Sequence, residues 1–149
     1  MKLIYIPGSP YVRRCRILIR ELGLKKIVKE ELTSIREMNK SLIFRFNPSG
    51  KVPTLEINKN LCISESTTIC NYLEEYAGEI ALTPKLGDER WKILGYESIV
   101  CQFIDSWVVR YQENKIRPEE KRYTNFIDYE FNRSHNCLKK LEENIDFFL

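Results

Sequence analysis

The sequence predicts an α/β domain over residues 1–78 followed by an all-helical domain over residues 88–149, and three observations carry that prediction. Short apolar runs with strand character alternate with helical patterns up to residue 78, the alternation that layered α/β domains show. Residues 79–87 read as a linker, on the composition of Thr83-Pro84-Lys85-Leu86-Gly87. Beyond that point every pattern is helical.

Each element has its own signal. "KLIYI" (2–6) is a short apolar run closed by Pro7-Gly8, which suits a buried strand. From Val12 to Leu22, the positions Val12, Cys15, Ile17, Leu18, Ile19 and Leu22 keep a repeat of about 3.6 residues, and Gly23 stands where a helix end favours a left-handed residue. "KIVKEEL" (26–32) alternates as a second strand, and strand, helix, strand in that order builds a parallel unit. Residues 34–46 read as a helix halted by Asn47-Pro48. "VPTLEI" and "LCIS" are two short strands around the hairpin signal Asn58-Lys59-Asn60. "ESTTICNYLEEYAG" is a helix that starts around Ser64, Glu65 and Ser66 and stops at Gly78. The order is β-α-β-α-β-β-α, the thioredoxin-like plan.

The second domain reads as two long helices. Ile93, Tyr96, Val100, Phe103, Ile104, Trp107, Val108 and Tyr111 keep an apolar face from Asp88 to about Lys115. Pro118 interrupts. A second stripe runs through Tyr123, Ile127, Phe131, Leu138, Leu141, Ile145 and Phe148, with Glu119 and Glu120 near its positive N-terminal end. The stripes predict core packing. The final Phe147-Phe148-Leu149 is expected to leave apolar surface without a partner.

Composition narrows the function classes. A net charge of +3, from 24 basic and 21 acidic residues, with clustering only among the first helix's arginines, argues against a nucleic-acid partner. No run approaches the roughly 18 apolar residues of a membrane span, and the apolar start is too short for a secretory segment, so a cytoplasmic protein off the membrane is expected. Five cysteines (Cys15, Cys62, Cys70, Cys101, Cys137), with no C-x-x-C spacing, indicate neither a metal site nor a disulfide framework and read as buried thiols. The single histidine, His135, reads as structural or surface.

Three stretches carry chemistry: "SPYVRRCRI" after the first strand, "NPSGKVPTL" before the third, and "ESTTICNYL" opening the third helix. A helix N-terminus offers unpaired N–H groups and about half a positive charge, which favours a thiolate nearby, and Ser9 just before it can donate to sulfur. Arg13 and Arg14 add positive potential, or are simply solvated. A proline before a short strand suggests a cis Val52-Pro53 bond, turning Val52 outward to pair with an extended peptide; a trans proline opening an edge strand is the alternative. Glu65 and Ser66 can hold both ends of an amino-acid zwitterion, with Glu65 accepting from the ammonium while Ser66 and the helix N–H groups donate to the carboxylate; the plainer reading is an N-cap.

In this order and spacing the three stretches resemble the N-terminal half of the cytosolic glutathione transferases, closest to small bacterial members with an S-P-[YF]-V-R start. The resemblance implies an enzyme that binds glutathione as co-substrate, without a metal, and activates its thiol for attack on a small electrophile. It implies that Glu65 and Ser66 grip the γ-glutamyl end, Val52 beside Pro53 pairs with the cysteinyl backbone, and Lys51 meets the glycyl carboxylate. The catalytic position falls to Ser9, with Tyr5 as the alternative, since family members that use tyrosine carry it at the end of the first strand. It also implies a homodimer built from the third helix against the partner's long helix, with Tyr72, Glu75, Trp91 and Tyr96 as contributors. Family members continue into further helices, so the chain reads as C-terminally shortened. That feature favours a second reading: a non-catalytic binding or protein-interaction module on the same fold.

Overall fold

Leu3 and Ile4 are fully buried on the first strand, β1 (Lys2–Tyr5), which lies inside a four-stranded sheet. The computed structural model of the chain describes residues 1–34, 41–78 and 82–148. The chain divides into two compact units, Met1–Thr83 and Pro84–Leu149.

In the first unit the sheet order is β2-β1-β3-β4, with β2 at Lys29–Leu32, β3 at Thr54–Asn58 and β4 at Leu61–Ser64. β1 pairs parallel with β2 and antiparallel with β3, and β3 pairs antiparallel with β4. This is the thioredoxin-like mixed sheet that the sequence predicts. Helix α1 (Pro10–Glu21) buries Val12, Cys15 and Ile19, and helix α2 (Ser66–Ala77) buries Ser66, Ile69, Cys70 and Leu73. Leu3, Leu22, Val28 and Leu55 join these in the core. Helix α1 ends as expected, with Gly23 left-handed at φ +67°.

Two elements differ from expectation. The second strand is shorter than residues 26–32, because Leu24–Lys26 form a 3₁₀ turn whose Leu24 carbonyl accepts from Ile27 and Val28. Burying Leu24 and Val28 together bends the chain before it can pair. Of the helix expected over 34–46, residues 35–40 lie outside the described residues; Leu42–Arg45 are one 3₁₀ turn, capped by Ser41 and anchored by the fully buried Ile43. Asn47 precedes a proline, which disfavours helical backbone there and keeps the segment short.

The second unit is a pair of long helices, α3 (Asp88–Lys115) and α4 (Thr124–Glu142), joined through Pro118 and a 3₁₀ turn at Glu119–Lys121. Its buried side chains correct the stripe reading. Val100, Trp107, Tyr111, Phe131 and Leu138 are exposed, whereas Ser106, Glu113, Glu130 and Ser134 are buried. The helices meet along a polar seam, where Ser106 donates to Glu130 at 2.6 Å and Arg110 donates to Ser134 at 3.1 Å; within α4, Arg133 donates to Glu130 at 2.8 Å. Glu113 also meets the start of α4, where it accepts from the Tyr123 amide at 3.0 Å. Hydrogen bonding to Ser106, outweighing burial, holds the Glu130 carboxyl below its ordinary range.

The chain end also departs from expectation. Helix α4 stops at Glu142, and a 3₁₀ turn (Ile145–Phe147) folds back. Phe147 and Phe148 pack on Tyr96 at 4.9 and 5.0 Å, and Lys92 sits 4.2 Å over the Phe147 ring, so these two rings do have partners. Leu149 lies outside the described residues. His135 is exposed and stacks on Phe131. Of the cysteines only Cys15 and Cys70 are buried; Cys62, Cys101 and Cys137 are half-exposed. Among the described residues no helix is long and apolar enough to cross a membrane.

Candidate functional site

The strand register brings the three chemistry-bearing stretches to one end of the sheet. Ile4 faces Thr54, and Thr54 faces Ser64. The chain therefore leaves β1 toward Ser9, enters β3 from Val52-Pro53 and leaves β4 into Glu65-Ser66, all beyond the same edge.

Ser9 is the N-cap of α1. Its Oγ accepts from the Val12 amide at 3.3 Å and its carbonyl accepts from Arg13 at 3.0 Å. The cap uses Oγ only as an acceptor, which leaves the hydroxyl proton to donate elsewhere. No acidic side chain lies in the first turn of α1 to offset its positive end. Tyr5, at the end of β1, is engaged differently: the Arg16 guanidinium lies 4.8 Å over its ring, while Arg16 also pairs with Glu30 at 2.8 Å.

The Val52-Pro53 peptide bond is cis. Among the described residues Val52 makes no main-chain hydrogen bond, although β3 pairs from Thr54 onward. Asn47, 4% exposed, ties this loop together. Its Nδ2 donates to the Lys51 carbonyl at 3.0 Å and to Thr54 Oγ1 at 3.1 Å, and its Oδ1 accepts from the Ser49 amide and hydroxyl at 2.9 and 2.8 Å. Lys51 itself is exposed. Gly50 closes the turn at φ +66°, where a Cβ would come within 2.6 Å of the Phe44 ring.

Glu65 caps α2 and is the one non-glycine residue with positive φ among the described residues, at +76°. A non-glycine residue in this region is held there by its surroundings, here by the hydrogen bonds of its own side chain. Its carboxylate accepts from the amides of Thr67 at 3.0 Å and Thr68 at 3.1 Å and from the Ser66 hydroxyl at 3.3 Å. Two of the first-turn amides, those of Thr67 and Thr68, are thus taken by Glu65 itself, because first-turn N–H groups have no intrahelical partner and Glu65 is adjacent. Burial would raise the Glu65 pKa, but these hydrogen bonds and the nearby Arg14 charge outweigh it and hold it below the ordinary carboxylate range. Ser66 is buried.

The sequence reading missed Asn47, taken only as a helix stop, and the choice between the two arginines. Arg14, not the exposed Arg13, reaches across to α2 and donates to Thr67 Oγ1 at 3.1 Å. The signal for Asn47 was available: asparagine before Pro-Ser-Gly commonly bonds backbone two residues on.

The comparisons with known proteins bear on the family and the fold. The chain is 29% identical over 113 residues to the "Uncharacterized GST-like protein YibF" of Escherichia coli, covering 76% of this chain and 54% of that protein. It is 26% identical over 140 residues to mouse "Glutathione S-transferase omega-1", covering 92% of this chain and 52% of the relative. The chain thus spans about half the length of these curated relatives. Among solved structures it superposes on a glutathione transferase family member from Pseudomonas fluorescens Pf-5 with bound glutathione, at a TM-score of 0.89 and 26% identity, covering 95% of this chain and 70% of that one. A glutathione S-transferase from Methylobacillus flagellatus shares the fold at a TM-score of 0.89 and 23% identity, covering 97% and 70%. The model of the family "Glutathione S-transferase, N-terminal domain" matches residues 3–81, more than half of the 149-residue chain, and the chain belongs to the glutathione S-transferase family.

Proposed function

We propose that the chain binds glutathione at this end of the sheet and, through Ser9, favours its thiolate for attack on an electrophilic small molecule. The observation that carries the proposal is the unpaired main chain of Val52, an open donor and acceptor beside the cis Val52-Pro53 bond. An extended peptide satisfies such an edge as an added strand does. The Pseudomonas fluorescens relative, crystallised with bound glutathione, supports that choice of peptide.

Glutathione supplies the nucleophilic sulfur, and the chain's own groups do the rest. The Ser9 hydroxyl, its acceptor side engaged by Val12, donates toward the start of α1, where the helix end adds positive potential. Glu65, ionised at neutral pH, offers remaining lone pairs to an ammonium, and Ser66 keeps the carboxylate oriented. Lys51 supplies an exposed positive charge beside Val52 for a second carboxylate. Tyr5 is the alternative catalyst: Arg16 lies 4.8 Å over its ring, a contact that leaves the hydroxyl as the group to test. On the same reading the protein acts in the cytoplasm as a homodimer, to which the half-buried Tyr72 and Tyr96 and the exposed Glu75 and Trp91 contribute; light scattering tests the assembly.

Ser9→Ala, assayed by ultraviolet detection of conjugation to a generic electrophile, is expected to slow turnover by about 10²-fold to 10³-fold, the loss typical of one positioned donor. Glutathione affinity stays within about threefold, and Ser9→Thr, which keeps both cap and hydroxyl, retains most of the rate. An unchanged rate in Ser9→Ala, or loss of binding together with rate, would refute the assignment. Retention of the wild-type chain on immobilised glutathione without turnover would favour the non-catalytic module instead.

A further inference from the structure

Behind the proposed site, two thiols from different helices face each other with nothing between them. Cys15 on α1 and Cys70 on α2 have their sulfurs 3.9 Å apart. Cys15 is fully buried and Cys70 is 5% exposed. Cys15 also lies 3.8 Å from the Ser66 carbonyl at the start of α2, and Arg14, the next residue back on α1, bonds to Thr67 in the same turn. One seam between two helices therefore contains two thiols and a guanidinium. Neither thiol serves the proposed conjugation chemistry.

We propose that Cys15 and Cys70 are a dithiol that hydrogen peroxide converts to an intramolecular disulfide, tethering α1 to α2. The sulfur of Cys70 attacks one peroxide oxygen; the O–O bond breaks, Cys70 becomes a sulfenic acid and the other oxygen leaves as water after taking up a proton. The Cys15 thiol then gives up its proton and attacks the Cys70 sulfur, forming the S–S bond and releasing a second water. Two thiols and one hydrogen peroxide become one disulfide and two waters. The two sulfurs need to close from contact distance to about 2.05 Å.

The roles are assigned by the surroundings. Cys70 retains the slight exposure that a water-sized oxidant needs, and Cys15 has none. The hydrogen bond between the two sulfurs holds the Cys70 thiol below its ordinary range, against the effect of burial and helped by the Arg14 charge. The same hydrogen bond and burial push the Cys15 thiol far up, so it stays protonated until Cys70 is oxidised.

The test uses the wild-type chain, with hydrogen peroxide as the probe. After native oxidation, the protein is denatured, alkylated and mapped by mass spectrometry. The expected result is a loss of two of the five alkylatable thiols and a linked peptide pair containing Cys15 and Cys70. A reductant restores both thiols. Cys15→Ser, which keeps a hydrogen-bonding group beside Cys70 but cannot close a disulfide, with folding checked by circular dichroism, is expected to accumulate a Cys70 sulfenic acid that a dimedone reagent labels; the wild-type chain labels less because Cys15 consumes it. Oxidation confined to Cys62, Cys101 or Cys137, with Cys15 and Cys70 still alkylatable, would overturn the proposal, as would a disulfide joining any other pair. These readouts require no conjugation activity, so they stand apart from the fate of the Ser9 assignment.

Discussion

Asn47 offers the sharpest test of how the site is held, because it touches the loop from inside. Asn47→Ala deletes four side-chain hydrogen bonds. They are not equal in consequence. Ser49 is exposed, so water replaces the two bonds to Oδ1, and Thr54 Oγ1 still donates to the Lys51 carbonyl at 3.0 Å. The two Nδ2 bonds are the real loss, at about 1 kcal/mol net each, so global stability falls by about 2 kcal/mol.

Glutathione affinity is expected to suffer separately. With the tether gone, the main chain around Val52 must be ordered on binding, at about 1–2 kcal/mol per residue. Ordering two residues costs about 2–4 kcal/mol, or a weakening of about 30-fold to 1000-fold. Asn47→Asp keeps the acceptor for Ser49 but loses both donors and sets an anion against the Lys51 carbonyl, so it binds no better than alanine. Calorimetric titration with reduced glutathione, on variants shown to be folded by circular dichroism, reads the effect directly. A folded Asn47→Ala that binds within about threefold of wild type would show that the Val52 edge is not organised through this side chain.

Tyr5→Phe keeps the ring under Arg16 and removes only the hydroxyl, so conjugation rate and glutathione affinity are expected to stay within about twofold; a loss of two orders of magnitude would move the catalytic role from Ser9 to Tyr5. Gly50→Ala forces a Cβ to a left-handed position and against Phe44, and is expected to lower stability by more than about 1 kcal/mol in urea denaturation, with the ring's exposure limiting the damage. Glu130→Ala leaves the buried Ser106 hydroxyl without its acceptor, a cost of about 1–3 kcal/mol, measured as a lower midpoint for loss of helical signal. The folded pKa of Glu130 lies below its reference value of 4.5, so its contribution is complete above that pH and is lost as pH falls through the folded value. Wild type is therefore expected to lose stability faster than Glu130→Ala on acidification below about pH 4.5, and parallel pH profiles would contradict the seam's role.

What the residues disclosed about the fold depended on whether one local rule decided the outcome. Ser9-Pro10 at the start of α1 and Gly23 past its end are chain-local signals, and both hold in the structure. The same is true of Glu65 at the head of α2, whereas the residues around Val52-Pro53 left cis and trans open and the structure has the cis bond. The helical unit was harder to read because an apolar stripe does not say how much of itself it buries. Two helices share one narrow seam, and there the small Ser106 and Ser134 with the paired Glu130 are buried while Trp107, Tyr111 and Phe131 remain exposed beside them. Periodicity marks a face; partner number decides its burial. The loop tether at Asn47 and the cross-helix reach of Arg14 needed the tertiary neighbours Thr54 and Thr67, which sequence spacing does not supply.

The site itself is assembled mostly from main chain and helix ends rather than from a cluster of reactive side chains. This explains why its motifs are short, rich in glycine, proline, serine and asparagine, and spread over about 60 residues from Ser9 to Ser66. Register then unites them: pairing of Ile4 with Thr54 and of Thr54 with Ser64 leaves no freedom to place Ser9, Val52 and Glu65 at different ends. A slip of one residue in β3 would turn the buried Leu55 toward the opposite face and misplace Val52 at the same stroke. The packing that stabilises the sheet and the geometry of the candidate site are therefore set by the same residues.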